Sequence, residues 1–120
     1  MQRTIMTVDD STSMRQMVKA TLVSAGYGVV EAADGQEALD YARENPVDLV
    51  IADVNMPRMD GITLIGELRQ LPAYRLTPML MLTTESSQEK KMEGKRMGAT
   101  GWIVKPFNPV QLLATLKRLL

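Results

Sequence analysis

Polar side chains that can do chemistry follow four short apolar runs of the sequence, each at the point where its run ends. They are, in chain order, Asp9-Asp10, Asp53, Thr83-Thr84 and Lys105. Carboxylates that meet in one crevice repel one another and lose hydration, so such a group needs positive charge beside it. Mg²⁺ supplies that charge on one or two carboxylates together with water and phosphate oxygens. A cation, a lysine, a hydroxyl and a carboxylate are typical of phosphoryl transfer, in which an Asp can be the nucleophile.

Residue types that are absent from the chain exclude several other chemistries. The 120 residues include no cysteine and no histidine, so a disulfide framework, a thiolate metal site and a Ser-His-Asp triad are all excluded. Lys and Arg balance Asp and Glu at 14 each, which weighs against nucleic-acid binding and gives no argument for binding an anionic membrane. No apolar run reaches the length of a membrane span, and the first residues become charged too early for a secretory signal. We therefore expect a cytoplasmic protein.

The elements that must position these side chains are five strand–helix units. Strands are predicted at Thr4–Val8, Val29–Ala32, Leu49–Ala52, Met79–Leu82 and Trp102–Val104. Helices are predicted over 13–25, from an Asp34 cap to just before Pro46, over 61–70, from a Ser86 cap to near Gly98, and over 109–119 after an Asn108 cap. Such alternation predicts an α/β fold with a parallel sheet and helices on both of its faces. We expect one domain over 1–120 without an effector domain, and the polar groups should meet at the carboxyl edge of the sheet.

Four motifs at the strand ends carry a resemblance to a known family. They are "VDD" at 8–10, "DVNMPRMDG" at 53–61, "MLTTE" at 81–85 and "WIVKPF" at 102–107. With these motifs the sequence resembles response-regulator receiver domains, most of all those of the single-domain chemotaxis type. The resemblance implies a flavodoxin-like (βα)5 fold with the strand order 2-1-3-4-5.

The resemblance also implies roles for the acidic residues. Asp53 would accept a phosphoryl group from a phosphohistidine on a sensor kinase, which this histidine-free chain cannot supply itself. Mg²⁺, or Mn²⁺ in its place, would be held by Asp10, by Asp53 and by the backbone carbonyl of Asn55. Asp9 would act on the ion mainly through a bound water.

Other positions would bind the phosphoryl group or respond to it. Lys105 would pair with its oxygens, Thr83 would donate a hydroxyl to it, and the bond before Pro106 would be cis. Trp102 stands where the family has an aromatic residue that turns inward on activation, although the chemotaxis type more often has tyrosine there. Indole is larger and only donates, so either a swing of Trp102 or simple packing on the output face stays open.

The resemblance further implies how the signal ends and where it is read. Asn55 and Glu85 would tune attack of water on the acyl phosphate, and Asn55 is where an auxiliary phosphatase would complete its site. The pair predicts a short-lived signal. The output face of the family is the fourth helix, fifth strand and fifth helix, and here the fourth helix has a basic bias from Lys90, Lys91, Lys95 and Arg96. That bias fits either a solvated helix face or the docking of an acidic segment from a kinase or motor-switch protein.

The resulting interpretation is a monomeric, phosphorylation-switched interaction module of a two-component system, typical of chemotaxis. It would catalyse only its own phosphorylation and dephosphorylation. Its use would be to bind the flagellar motor switch, to act as a phosphate sink, or to serve as an adaptor in a non-chemotaxis phosphorelay.

Four other interpretations are weaker. Helix capping by Asp9 and Asp10, with Lys105 solvated, would explain each residue singly but not all together. A hydrolase of the haloacid-dehalogenase type needs a second Asp where this chain has Asn55. A nucleotide-binding module needs a glycine-rich phosphate loop, which is absent. A receiver that cannot be phosphorylated usually lacks an essential residue, and none is missing here.

Overall fold

Five β-strands form one parallel sheet in a computed structural model, which describes residues 2–84 and 88–120. The strands are β1 Thr4–Val8, β2 Gly28–Ala32, β3 Leu49–Asp53, β4 Met79–Thr83 and β5 Gly101–Val104. Their order is β2-β1-β3-β4-β5, so the predicted flavodoxin-like topology is confirmed. In the register of the sheet Val8 pairs with Ala52, which places Asp9 and Asp53 side by side at the carboxyl edge.

Helices connect the parallel strands and cover both faces of the sheet. They are α1 Thr12–Ser24, α2 Gly35–Glu44, α3 Gly61–Arg69, α4 Gln88–Met97 and α5 Pro109–Leu119. On one face α1 and α5 lie together, and on the other α3 lies between α2 and α4. Among the helices that the structure describes, none combines the length and the apolar character needed to cross a bilayer.

The central strand β3 explains why a single carboxylate ends up in the interior. Its side chains alternate between two cores, with Leu49 and Ile51 facing the α1 and α5 side, and Val50 and Ala52 facing the α2 and α3 side. A strand covered on both faces must be apolar along its whole length. Asp53 is therefore the first position of this segment that can carry an ionisable group close to solvent. Even so, only 4% of its surface is exposed.

The helix boundaries agree with the predicted ones to within a residue or two, because local capping sets them. The Asp34 carboxylate accepts a hydrogen bond from the Glu37 amide at 2.9 Å, and the Asn108 side chain accepts one from Gln111 at 3.1 Å. Gly26 follows α1 with a φ of 93°, a conformation that only glycine adopts without strain. The predicted Ser86 cap of α4 lies outside the described residues.

A short 3₁₀ helix at Pro72–Tyr74, absent from the predictions, follows α3. The Tyr74 hydroxyl is buried and lies 2.9 Å from the carbonyl oxygen of Ala42 and 2.8 Å from that of Asn45. It thereby ties the end of α2 to the segment that leads into β4. An apolar pattern of three residues is too short to predict such a turn.

Candidate functional site

Three carboxylates meet where β1 and β3 end. Oxygens of Asp9, Asp10 and Asp53 all lie within 4.8 Å of one another. Asp9 and Asp53 are buried, whereas Asp10 is exposed to solvent. Carboxylates this close repel one another, and the repulsion is poorly screened where two of them are buried, so the group favours a cation beside it.

Lys105 supplies one compensating charge from the end of β5. Its Nζ atom lies 3.0 Å from Oδ1 of Asp53 and 3.4 Å from Oδ2 of Asp9, so one ammonium bridges the two buried carboxylates. The Lys105 amide donates to the carbonyl of Thr83 at 2.8 Å, which fixes the backbone from which the side chain extends. The bond between Lys105 and Pro106 is cis.

The electrostatic balance of the site falls short of full compensation. Burial raises the pKa of Asp53, and the charge of Asp9 raises it further, against the opposing effect of Lys105. Burial of Lys105 acts to lower the pKa of its ammonium, but the pairing with Asp53 and Asp9 outweighs burial, and the net pKa is raised. Asp53 therefore remains costly to ionise, and the site favours a second cation.

The donor atoms of the site fit a hard divalent cation. Oδ2 of Asp9 is buried and accepts no hydrogen bond from any residue that the structure describes, although Lys105 is nearby. The three carboxylates offer oxygen ligands alone, which is the ligand type that Mg²⁺ prefers. The backbone amide of Asn55 acts to lower the pKa of Asp53, but its effect is smaller than that of burial, which raises it.

The remaining predicted residues lie at different distances from this cluster. Thr83 ends β4 next to β3 and is buried, at 3% exposure. Trp102 lies on β5 with 41% of its surface exposed, and the Nζ atom of Lys91 lies 4.7 Å from the centre of its ring. Asn55 is exposed at the mouth of the site. Glu85 lies outside the part of the chain that the structure describes.

A family model covers nearly the whole chain. Residues 5–117 match the response regulator receiver domain. The chain belongs to this family. Receiver domains are signalling proteins rather than classical enzymes, they bind Mg²⁺ at an acidic pocket, and they interact with sensor histidine kinases and downstream targets.

Known receivers resemble this one in both structure and sequence. The structure of the Vibrio cholerae chemotaxis protein CheY4 superposes with a TM-score of 0.96 at 55% identity and with full coverage of both chains. A CheY-like receiver domain protein from Methanospirillum hungatei JF-1 gives a TM-score of 0.92 at 30% identity, over 98% of this chain and 93% of that one.

Curated relatives of greater length also match this receiver. The alkaline phosphatase synthesis transcriptional regulatory protein PhoP of Bacillus subtilis is 37% identical over 120 residues, which are 100% of this chain and 49% of that protein. The chain thus spans about half the length of the curated relatives it matches.

Gly61 packs against the backbone of Asp53 at the receiver site. As the first residue of α3 it donates its amide to the carbonyl of Val54 at 3.0 Å, and its Cα approaches the Asp53 carbonyl so closely that a Cβ would overlap with that oxygen. The sequence marks this glycine only as a turn or helix start. Its close approach to the backbone of Asp53 shows why a larger residue would displace the acceptor.

Two arginines near the site have no role in the sequence-based interpretation. Arg58 holds a φ of 67° in the loop after β3, and its guanidinium pairs with the carboxylate of Asp34 at the start of α2. Arg15 of α1 donates to the carbonyl of Asp9. Neither contact has a signal in the sequence, because each depends on the path of a long arginine side chain in the folded chain.

Proposed function

We propose that Asp53 of this receiver accepts a phosphoryl group from a phosphohistidine of a sensor kinase, and that this modification changes partner binding at the α4-β5-α5 face. The observation that carries the proposal is the ammonium of Lys105, which bridges the buried carboxylates of Asp53 and Asp9 at 3.0 and 3.4 Å. A lysine held between two carboxylates is available to pair with phosphoryl oxygens once one carboxylate is phosphorylated.

The chain's own residues account for the chemistry of transfer. A carboxylate oxygen of Asp53 would attack phosphorus, the P–N bond would break, and its electron pair would pass to the imidazole nitrogen, which then takes a proton from solvent. Lys105 would pair with the phosphoryl oxygens, and the Thr83 hydroxyl would donate to one of them. Because both side chains extend from strand ends, their placement needs little reorganisation.

Asp9, Asp10, Asp53 and the backbone carbonyl of Asn55 would hold Mg²⁺, or Mn²⁺, in this proposal. The ion would neutralise charge that develops on the phosphoryl oxygens. Oδ2 of Asp9, which accepts no hydrogen bond from the described residues, and the exposed carboxylate of Asp10 support this assignment, since both can bind the ion or its water.

Phosphotransfer from purified sensor kinases, and from a small acyl phosphate, tests the proposal. We expect a base-labile label on the wild-type chain with Mg²⁺, none in EDTA, and none on Asp53→Asn. Asp48→Asn is a matched control, because Asp48 accepts from the Thr4 amide at the opposite edge of the sheet. Labelling of Asp53→Asn at the wild-type rate would contradict the assignment of the acceptor.

We also propose that Asn55 and Glu85 set the lifetime of the acyl phosphate, and that an auxiliary phosphatase uses Asn55. The exposure of Asn55 beside Asp53 supports this, because water or a partner side chain can reach the phosphoryl group there. Loss of label after removal of the donor measures the lifetime. A lifetime of hours in the wild-type chain would contradict the proposal.

Partner docking is proposed for the groove between α4 and β5. The groove has a volume of about 190 Å³ and is lined by Gln88, Lys91, Met92, Lys95 and Trp102. Its apolar floor and basic rim are complementary to an acidic segment of a kinase or flagellar motor-switch protein. The 55% identity with a chemotaxis protein supports chemotaxis as the pathway.

Charge reversal tests the docking site. Lys91→Glu with Lys95→Glu should weaken binding of a motor-switch peptide and of the kinase, whereas Arg43→Glu with Arg75→Glu, on other surfaces, should not. Unchanged affinity in the first variant would refute docking at this groove. If the phosphorylated wild type binds no motor-switch peptide yet drains the kinase, the sink function replaces motor binding.

We propose that this receiver acts as a monomer in the cytoplasm, where a kinase charged by ATP can reach it. Sedimentation of the chain with and without a phosphoryl mimic tests the monomer. A shift to dimer would contradict it.

A further inference from the structure

Arg15 lies beside the acidic cluster but takes no part in the proposed transfer. It extends from the second turn of α1, and its side chain is only 16% exposed. Its Nη1 atom donates a hydrogen bond to the backbone carbonyl oxygen of Asp9 at 2.5 Å. On its other side, Nε lies 3.6 Å from Oε1 of Glu31 in β2. The guanidinium therefore spans the gap between β2 and the end of β1.

The carbonyl that Arg15 holds belongs to the peptide that joins two of the three clustered carboxylate residues. The Asp9 amide donates to Ala32 at 3.1 Å, and Oδ1 of Asp9 accepts from the Ser11 amide at 2.9 Å. These contacts fix Asp9 itself. The orientation of the next peptide decides the direction in which the exposed side chain of Asp10 leaves the backbone.

We propose that Arg15 is a positioning residue of the metal site, because it fixes the Asp9–Asp10 peptide and with it the separation of the two carboxylates. This inference rests on the proposed function, in which both side chains serve Mg²⁺. Arg15 contacts a backbone carbonyl and no reacting atom, so it acts through Asp9 and Asp10. Partners of metal ligands commonly contribute to affinity in this way.

The charge of Arg15 and its positioning role predict opposite changes in Mg²⁺ affinity when Arg15 is removed. The direction of that change therefore tests the inference. Arg15 is a cation, and a cation near a Mg²⁺ site repels the ion. If Arg15 acted only through its charge, its removal would strengthen Mg²⁺ binding. If Arg15 positions the carboxylates, its removal weakens binding despite the relieved repulsion.

Calorimetric titration of the full chain with Mg²⁺ provides the measurement. We expect Arg15→Met, which keeps the apolar stem, to weaken Mg²⁺ binding by about tenfold. Arg15→Lys keeps the charge and one donor group, and it should recover part of the loss. Glu31→Gln is the matched control, because it removes the ion pair and leaves the hydrogen bond to Asp9, so affinity should stay within about twofold of the wild type.

A kinetic readout separates positioning from general damage. With a small acyl phosphate as donor, Arg15→Met should need more Mg²⁺ for half-maximal labelling of Asp53, while the rate at saturating Mg²⁺ stays near that of the wild type. A general loss of structure would lower the saturated rate as well.

Equal or tighter Mg²⁺ binding by Arg15→Met would overturn the inference. If that variant does not fold, Arg15→Gln, which retains a neutral donor, is read on the same terms: weaker binding than in Glu31→Gln supports the inference, and equal binding overturns it. Absence of Mg²⁺ binding by the wild type would instead refute the proposed function, so the two failures are distinguishable.

Discussion

At the scale of single residues, the site depends on Asp53, a carboxylate whose ionisation is energetically unfavourable. Asp53 ends a strand that is apolar on both faces, and for Asp53, Lys105 only partly offsets the cost of its burial and of its neighbour Asp9. A buried charge that is incompletely paired reduces the stability of the folded state and retains reactivity toward an electrophile. The unmodified receiver is thus less stable than its fold allows, and the cost is concentrated at the acceptor.

Asp53→Asn should stabilise the metal-free receiver at neutral pH. The pKa of Asp53 is raised in the folded state, so its contribution to stability is fully present below the unfolded value near 3.8 and is lost as pH rises through the folded pKa. Asparagine keeps an acceptor for Lys105 without the charge.

Denaturant unfolding in EDTA at about pH 3.8 and at neutral pH measures the difference. The free energy of unfolding of the variant should exceed that of the wild type at neutral pH, and the excess should shrink toward the acid end. A gain that stays constant across this range would show that ionisation of Asp53 is not its source.

Trp102 should report whether the site is coupled to the output face. The Lys91 ammonium lies over its ring, a contact worth about 0.5–1 kcal/mol at an exposed site, and it holds the indole outward. We expect Mg²⁺ with a beryllofluoride phosphoryl mimic to change Trp102 emission, and Lys91→Gln to enlarge the change because the ring is released.

Lys95→Gln is the control for this experiment, because Lys95 lines the same groove and its substitution removes an equal charge. Emission that is unchanged by the mimic in the wild type and in Lys91→Gln would argue that Trp102 only packs on this face.

At the scale of elements, most of the fold could be predicted because the signals are local. Apolar runs, the Asp34 and Asn108 caps and the Gly26 terminator each act within a few residues, and each is confirmed. Strand ends also place the chemistry, since parallel strands share one carboxyl edge. The strands each fall within a residue of the predicted range.

What could not be predicted are individual side-chain contacts between elements. The Arg58–Asp34 pair, the stacking of Lys91 on Trp102 and the hydrogen bond from Arg15 to Asp9 all depend on side-chain paths across the folded surface. A charge in a sequence carries no record of its partner. The roles assigned to the site residues likewise remain predictions until phosphotransfer is measured.

Gly61→Ala should disrupt the seat of the acceptor. A methyl group there meets the backbone of Asp53, which cannot turn aside as a flexible side chain can. Overpacking of this kind costs about 2 kcal/mol in the free energy of unfolding, and the displaced acceptor should be phosphorylated more slowly.

Gly101→Ala is the matched control for Gly61→Ala. A Cβ at position 101 would meet only a Leu80 methyl at 3.6 Å, an ordinary contact. Its stability should change by less than about 0.5 kcal/mol. Equal effects of the two substitutions on stability and labelling would contradict the special role of Gly61.

At the scale of the whole molecule, acidic and basic surfaces are separated although the net charge is zero. The carboxylates gather at the carboxyl edge of the sheet, while basic residues of α4 border the groove beside Trp102. A divalent cation and an acidic partner therefore have separate places to bind, and both can be present at once.

Mg²⁺ should stabilise the whole chain by mass action, because the cluster exists only in the folded state. At a concentration about 100 times its Kd, a ligand of the native state adds about 2.7 kcal/mol to the free energy of unfolding. For a chain of this size that corresponds to a rise in Tm of roughly 10 °C.

Thermal unfolding in Mg²⁺ and in EDTA, matched in ionic strength with NaCl, measures the shift. The shift should be much smaller in Asp53→Asn, which loses one charged ligand. A wild-type Tm that is the same in both solutions would argue against a metal site in this cluster.

The attachment of Lys105 to the backbone has a consequence for how a partner senses the site. Only Pro106, Phe107 and Asn108 separate Lys105 from the first turn of α5, and Phe107 is buried among the residues of the α1 and α5 side. A movement of the Lys105 backbone toward a new anion would therefore shift the start of α5 through this short segment, which the buried Phe107 anchors. The affinity of a protein that binds the start of α5 would then depend on whether Asp53 is phosphorylated, whether or not the Trp102 ring moves.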